Sequence, residues 1–202
     1  MRDFIAHDVR LVGSTPHGQN IDAIQVGAAT PLTSFVTQAL NAAEANKGEI
    51  CLKIMAHGAG DEKKEGGVIL FCKENLRLST VEQMRPLAGK IKGGIELLVC
   101  RAAMITPGKE RKDGDGNMFC SRMAQITGTT VTASTAIQLY TFGRDTRGSC
   151  DGKPGLPHPS SPIDFGAWEG TVLIYKPDGS VGSVNHYPTG YEVGELPKSD
   201  DA

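Results

Sequence analysis

EICLKIMAHG, residues 49–58, is a mostly apolar run that stops abruptly at His57 and Gly58. A strand that is buried on both faces of a sheet has this pattern, because neither of its faces meets water. A second run of the same kind, IELLVC at 95–100, ends in Cys100. We therefore predict two buried strands of one parallel sheet, with a histidine and a cysteine at their C-terminal ends.

Further strands and helices alternate along the chain on either side of these two runs. Apolar residues at helical spacing predict helices, and short runs rich in β-branched residues predict strands. Helices are predicted at 31–47, 79–92 and 117–128, strands at 7–13, 68–73 and 129–134, and a hairpin around Pro177-Asp178-Gly179. This order predicts an α/β fold with a mostly parallel sheet, helices on both of its faces and a C-terminal β-hairpin.

The length and composition are those of one globular domain. At about 100 to 200 residues per domain, the 202 residues predict a single unit over 1–202. The 25 glycines and 5% aromatic residues indicate many turns. We place the core of this domain at 8–188, flexible loops at 106–116 and 143–166, and a tail at 189–202.

The charge pattern and the lack of long apolar runs exclude several classes of function. The 21 basic and 23 acidic residues alternate in sign, so no basic stripe is present that could follow a nucleic acid backbone. No apolar run approaches the length of about 20 residues that spans a bilayer, and MRDFIAHDVRLVG lacks the apolar segment of a signal peptide. We expect no nucleic acid partner and no membrane span, and a location in the cytoplasm or export by a route that needs no signal peptide.

The cysteines do not suggest a structural role for sulfur. They are five in number and lack closely spaced pairs, which argues against both a disulfide framework and a zinc site. We expect reduced thiols and no metal at Cys51, Cys72, Cys100, Cys120 and Cys150.

His57 and Cys100 form the candidate catalytic pair. In open α/β sheets, reacting groups collect at the C-terminal edge of the strands. A histidine near a cysteine either removes the thiol proton or, when protonated, stabilises the nucleophilic thiolate. Gly58 would let a substrate carbonyl approach, and the N–H groups of Gly58 and Cys100 could form an oxyanion hole. Taken singly, the cysteine would be read as a small core residue and the histidine as a loop residue, so the conjunction carries the hypothesis.

The pattern of a strand ending in His-Gly and a following strand ending in Cys resembles the clan of caspases, clostripain, gingipains, legumain and separase (clan CD). The sequence is most similar to caspase-like domains of large bacterial surface proteins, which have Ser-His-Gly and Gly-Cys-Asn with a following Ala. Here these places read Ala56-His57-Gly58 and Val99-Cys100-Arg101-Ala102-Ala103. The resemblance continues through MFCSRMAQITGTTVTAS and loosely into WEGTVLIY, so that it covers about residues 49 to 176.

The resemblance implies a caspase-like three-layer sandwich and a cysteine endopeptidase. Cys100 would be the nucleophile and His57 the acid/base, and a protein or peptide would be cleaved through a thioester. Arg101, Ser134 and Asp164 would contact substrate, and the basic stretch PGKERKDG (107–114) would be a site of self-processing. The oligomeric state is left open.

Two other functions remain as alternatives. Ala56 and Arg101 stand where the family has Ser and Asn, which favours a caspase-like binding or effector module that has lost turnover. A thiol-dependent transferase or amidase built on the same pair is the third option.

The stretch KDGDGNM carries the only hint of a metal. Asp113, Asp115 and Asn117 have the alternate spacing of calcium ligands, but an EF-hand would need Gly and Glu where the chain has Met118 and Ala124. A polar turn in which Asn117 caps the next helix explains the stretch better. We expect no required cofactor, with calcium as the lesser alternative.

Overall fold

The computed structural model of the chain describes residues 1–59, 65–138, 140–142 and 162–187. Its largest element is a seven-stranded sheet. The strands of this sheet are β1 (Arg2–Asp8), β2 (Ile21–Val26), β3 (Ile50–Met55), β7 (Ile95–Leu98), β8 (Val131–Ser134), β11 (Gly170–Tyr175) and β12 (Val181–Tyr187). The short strands are β4 (His57–Gly58), β5 (Val68–Leu70) and β6 (Leu76–Arg77), which form a small sheet, and β9 (Thr141–Phe142) with β10 (Ile163–Asp164). The helices are α1 (Leu32–Ala45), a 3₁₀ helix (Val81–Leu87) and α2 (Gly116–Thr127).

The large sheet is mostly parallel, as predicted. Its spatial order is β12-β11-β8-β7-β3-β1-β2, and the five strands from β8 to β2 run parallel. Strands β11 and β12 pair antiparallel with each other, and β11 also pairs antiparallel with β8. The α/β class and the C-terminal hairpin are therefore confirmed.

The helices of the described residues all lie on one face of this sheet, so the prediction of helices on both faces is wrong there. Helices α1 and α2 each contact the 3₁₀ helix, and all three share one core cluster with the same side of the strands. Within that side, Ala6, Ile54 and Leu97 occupy one row of the register. The other face is covered by a smaller cluster of Ile5, Leu11, Met55 and Ile163.

The handedness of the crossovers explains this arrangement. Connections between parallel strands are right-handed, so all steps in one direction across a sheet pass over the same face. The steps from β2 to β3, from β3 to β7 and from β7 to β8 run in one direction, and their connections carry the helices. The step from β1 to β2 runs the opposite way, and its connection, residues 9–20, is a loop that places Leu11 on the second face.

Several predicted boundaries need correction. The first strand is Arg2–Asp8 rather than 7–13, and the strand before Cys100 ends at Leu98, which leaves the cysteine in a turn. The predicted helix at 79–92 is the 3₁₀ helix, because Pro86 cannot donate to an α-helical ladder. Helix α2 ends at Gly128 with φ +67°, as predicted, but its N-cap is Asp115 and not Asn117.

The predicted loops and tail are described only in part. The loop at 106–116 is closed at its base by the hydrogen bond from Thr106 N to Gly114 O, at 2.8 Å. Residues 143–161 of the second loop, the tail at 189–202 and Cys150 lie outside the described residues. No helix among those described is long and apolar enough to cross a membrane.

Candidate active site

The segment His57–Gly58 lies directly against Cys100. Strands β3 and β7 are parallel neighbours in which Met55 pairs with Leu98, so both chains leave the sheet at the same level. A Cβ atom built on Gly58 would lie 2.2 Å from the carbonyl oxygen of Cys100 and 3.4 Å from its Cβ. The two sequence motifs therefore meet at the C-terminal edge of the sheet.

Gly58 is required by this close approach of backbone to backbone. A separation of 2.2 Å between a carbon and the Cys100 carbonyl oxygen is far below van der Waals contact. The sequence suggested that the glycine admits a substrate carbonyl, whereas in the structure the nearest carbonyl belongs to Cys100 itself. Any side chain at position 58 has to displace the turn that carries the cysteine.

We expect Gly58→Ala to lower the free energy of unfolding by about 1–3 kcal/mol, the usual cost of forcing an extra carbon into a packed site. Urea denaturation measures this change. The matched control is Gly18→Ala, whose Cβ would meet only the Ile21 side chain, at 3.5 Å. Equal stability of the two variants would contradict the steric role of Gly58.

The half-buried imidazole of His57 is oriented by a backbone carbonyl. Its Nε2 lies 3.1 Å from the carbonyl oxygen of Arg10. A carbonyl oxygen only accepts, so Nε2 carries the hydrogen in this contact, and in the neutral ring the lone pair is then on Nδ1. The arrangement supplies a histidine with a fixed tautomer and one basic nitrogen.

The thiol of Cys100 is half-buried and contacts a neighbouring segment. Its Sγ lies 3.6 Å from the carbonyl oxygen of Gln138. The Gln138 side chain makes two hydrogen bonds to the backbone of Glu169. Its Nε2 donates to the Glu169 carbonyl oxygen at 2.9 Å, and its Oε1 accepts from the Glu169 backbone nitrogen at 3.1 Å. Gln138 therefore fixes the wall beside the thiol.

The other described cysteines differ from Cys100 because they are buried. Burial raises the pKa of the Cys51 thiol and of the Cys72 thiol to about 12 in each case. Burial also raises the pKa of Cys120, which is fully enclosed in α2. These thiols stay protonated at neutral pH, so among the described cysteines Cys100 is the one suited to react with a ligand.

The three predicted substrate-contacting residues have different surroundings. Arg101 has a left-handed backbone at φ +55°, and its N–H donates to Ala136 O at 2.8 Å, so this N–H is not an oxyanion donor. Ser134 is fully buried, and its hydroxyl donates to Glu169 O while accepting from Ala136 N. Asp164 is exposed and accepts from Gly166 N at 2.8 Å. The Ser134 side chain is thus enclosed by the protein and bonded to its backbone, whereas the side chains of Arg101 and Asp164 are accessible to a ligand.

A small cavity of about 20 Å³ adjoins the segment that touches the thiol. It is lined by Leu98, Gln138, Phe165, Gly166, Ala167 and Trp168. Phe165 also packs against Tyr140, with ring centroids 5.6 Å apart. The cavity has room for a very small group only.

The aspartates of the suspected calcium loop bind protein donors. Asp115 accepts from Met118 N at 2.8 Å as the N-cap of α2 and from Arg111 N at 2.7 Å. Asp113 accepts from both the backbone nitrogen and the hydroxyl of Ser79. Within the described ranges, no group of three or more metal-ligating side chains converges.

Two contributors to this site escaped the sequence interpretation. The Arg10 carbonyl is a backbone group, which leaves no signature in residue type. Gln138 follows the end of β8 in the stretch ASTAIQ, where a buried amide cannot be told from a surface residue by pattern alone.

Comparison with known proteins finds no matching family model, no matching curated protein and no matching solved structure. The function of the site therefore has to be inferred from its own geometry.

Proposed function

We propose that the chain is a caspase-like cysteine endopeptidase in which Cys100 is the nucleophile and His57 the acid/base. The observation that carries the proposal is the contact of Gly58, the residue after His57, with Cys100 beyond the ends of two neighbouring parallel strands. The order of the motifs, His-Gly after one strand and Cys after the next, is the one that the resemblance to clan CD implies. A half-exposed thiol among buried ones adds chemical support.

The proposed reaction begins with transfer of the Cys100 thiol proton to Nδ1 of His57. The thiolate attacks the carbonyl carbon of the peptide, and the carbonyl electrons move onto oxygen to give a tetrahedral oxyanion. Collapse of this intermediate breaks the C–N bond, and the imidazolium returns the proton to the leaving amine. The resulting thioester is hydrolysed by a water molecule that His57 deprotonates, which frees the acid and restores the thiol.

The backbone N–H of Gly58 is the first candidate for an oxyanion donor. Ala59 N donates to Val68 O at 2.9 Å, and bonded and non-bonded pairs alternate along an antiparallel ladder. Gly58, which pairs with Ile69, therefore falls in a non-bonded pair, and its N–H points away from β5. Among the described residues this N–H has no hydrogen-bond acceptor, so we assign it to a ligand, and the N–H of Cys100 is the proposed second donor.

Self-processing of the loop at 107–114 is a further part of this proposal. Residues 107–112 are exposed and include three basic side chains, Lys109, Arg111 and Lys112. The loop leaves the turn that begins at Cys100 and returns through Asp115 into α2. Exposed loops of this kind are the preferred sites of proteolytic nicking.

The test is incubation of the full chain with a library of peptides, followed by mass spectrometry of the new termini. We expect cleavage that stops when the protein is first treated with iodoacetamide. No new termini at any pH from 5 to 9 would overturn the proposed function.

A second candidate is a binding module without turnover. Arg101, a cation directly after the proposed nucleophile, favours this function, since the caspase-like domains that the sequence resembles have a neutral Asn there. Such a module would retain peptides from the same library on an affinity column and release them intact. The mass of the eluted peptides separates the two functions.

A further inference from the structure

We infer that the ion pair of Asp8 and Arg10 forms a clamp that positions His57, so that both are positioning residues for the proposed reaction. This inference rests on the proposed function. The two residues lie at the end of β1 and in the turn after it, far from His57 in sequence. Their link to the histidine is the carbonyl oxygen of Arg10, which accepts from His57 Nε2.

The ion pair joins a fully buried carboxylate to a partly exposed guanidinium. Asp8 is fully buried, and its Oδ1 accepts from Arg10 Nε at 2.8 Å while its Oδ2 accepts from Arg10 Nη2 at 2.7 Å. Asp8 Oδ1 also accepts from the backbone nitrogen of Arg10, at 3.1 Å. A bidentate pair of this kind fixes both the side chain and the backbone of Arg10, and with them the direction of its carbonyl.

The same pair is also tied to the strand beside His57. Asp8 Oδ2 accepts from Cys72 N at 3.0 Å, and Arg10 Nη2 donates to Cys72 O at 3.0 Å. Cys72 follows β5, whose Leu70 pairs with His57 in the small sheet. The clamp therefore holds the backbone of the strand that flanks His57 and the carbonyl that its ring contacts.

Stability alone explains a charge at position 8 poorly, because burying the Asp8 carboxylate has a desolvation cost that offsets its attraction to Arg10. Here the pair directs a carbonyl at His57, the residue before the Gly58 that lies against Cys100. In peptidases that use a triad, a third group likewise fixes the tautomer and orientation of the histidine. Here the carbonyl oxygen of Arg10 orients the histidine, and Asp8 acts through Arg10 by holding it in position.

The decisive variant is the double replacement Asp8→Asn with Arg10→Met, which removes both charges and leaves neither unpaired in the interior. We expect kcat for peptide cleavage to fall about 10- to 100-fold with KM unchanged, since misplacing a catalytic group by about 1 Å costs on this order. Val36→Ala, a core truncation in α1, is the control for lost stability alone and should keep kcat. A folded double variant with the kcat of the native protein would overturn the clamp.

The tautomer of His57 provides a readout that does not depend on activity. Nitrogen NMR of labelled protein should show the hydrogen on Nε2 of His57 in the native chain and exchange between both nitrogens in the double variant. An unchanged Nε2–H tautomer in the double variant would overturn the clamp. If the native protein cleaves no peptide, the proposed function fails, while the NMR result still decides the clamp.

Discussion

Replacing Cys100 with alanine is expected to abolish peptide cleavage, with a loss of at least about 10⁴-fold in kcat/KM, because the alanine has no electron pair with which to attack a carbonyl. The folded state should survive, since the thiol is only half-buried and occupies a turn beyond the end of β7. Cleavage of the best library peptide by the purified variant measures the effect.

Cys51→Ala is the matched control for this loss. Cys51 lies in β3, two strand positions before Lys53, and is 6% exposed, so its removal costs packing but no nucleophile. We expect this variant to cleave at a rate close to that of the native protein. If Cys100→Ala cleaves as fast as Cys51→Ala, Cys100 is not the nucleophile.

Replacing His57 with alanine is expected to lower kcat/KM by about 10²- to 10⁴-fold, the range that general acid–base catalysis contributes. The residue makes two contributions here. Its Nδ1 takes the thiol proton in the proposed reaction, and its Nε2–H contact with Arg10 O holds the ring in place. The cleavage rate of the same peptide, followed from pH 5 to 9, measures the loss.

The control for His57→Ala is His17→Ala, a histidine in the exposed part of the loop between β1 and β2. We expect this variant to keep the rate and the pH profile of the native protein. A loss below 10-fold for His57→Ala would assign the proton transfer to a different group.

The placement of the candidate catalytic pair could be predicted because it depends on hydrophobic patterning. ICLKIM and IELL are apolar runs between turns, and such runs become buried strands whatever the details of their packing. The residue after a run then lies at an edge of the sheet. His57 and Cys100 could therefore be assigned to one edge before any coordinates existed.

The first strand was predicted wrongly because its charges are paired across the fold. RDFIAHD carries Arg2, Asp3 and Asp8, which locally argue against a buried strand. In the structure Arg2 pairs with Asp22, Asp3 with Lys53, and Asp8 with Arg10. Asp22 and Lys53 belong to other strands, so no sequence window around β1 contains these two partners.

The orienting groups of the site escaped prediction for a related reason. The carbonyl of Arg10 reaches His57 only through the path of the loop at 9–20, and Gln138 reaches Cys100 through its backbone oxygen. Backbone acceptors are present at every residue, so composition and spacing cannot single them out. Hydrophobic patterning thus identifies the reactive side chains, whereas the backbone groups that orient them are seen only in the tertiary structure.

The central claim, that His57 activates Cys100, is tested most directly by the rate at which iodoacetamide alkylates each cysteine of the folded protein at pH 7. Peptide mapping resolves Cys100 from Cys51, Cys72 and Cys120, whose burial keeps them protonated and inaccessible. We predict that among these four Cys100 reacts first in the native protein, and that it reacts at least about 10-fold more slowly in His57→Ala. Equal rates for Cys100 in the two proteins, or a native Cys100 no faster than the buried thiols, would contradict the account.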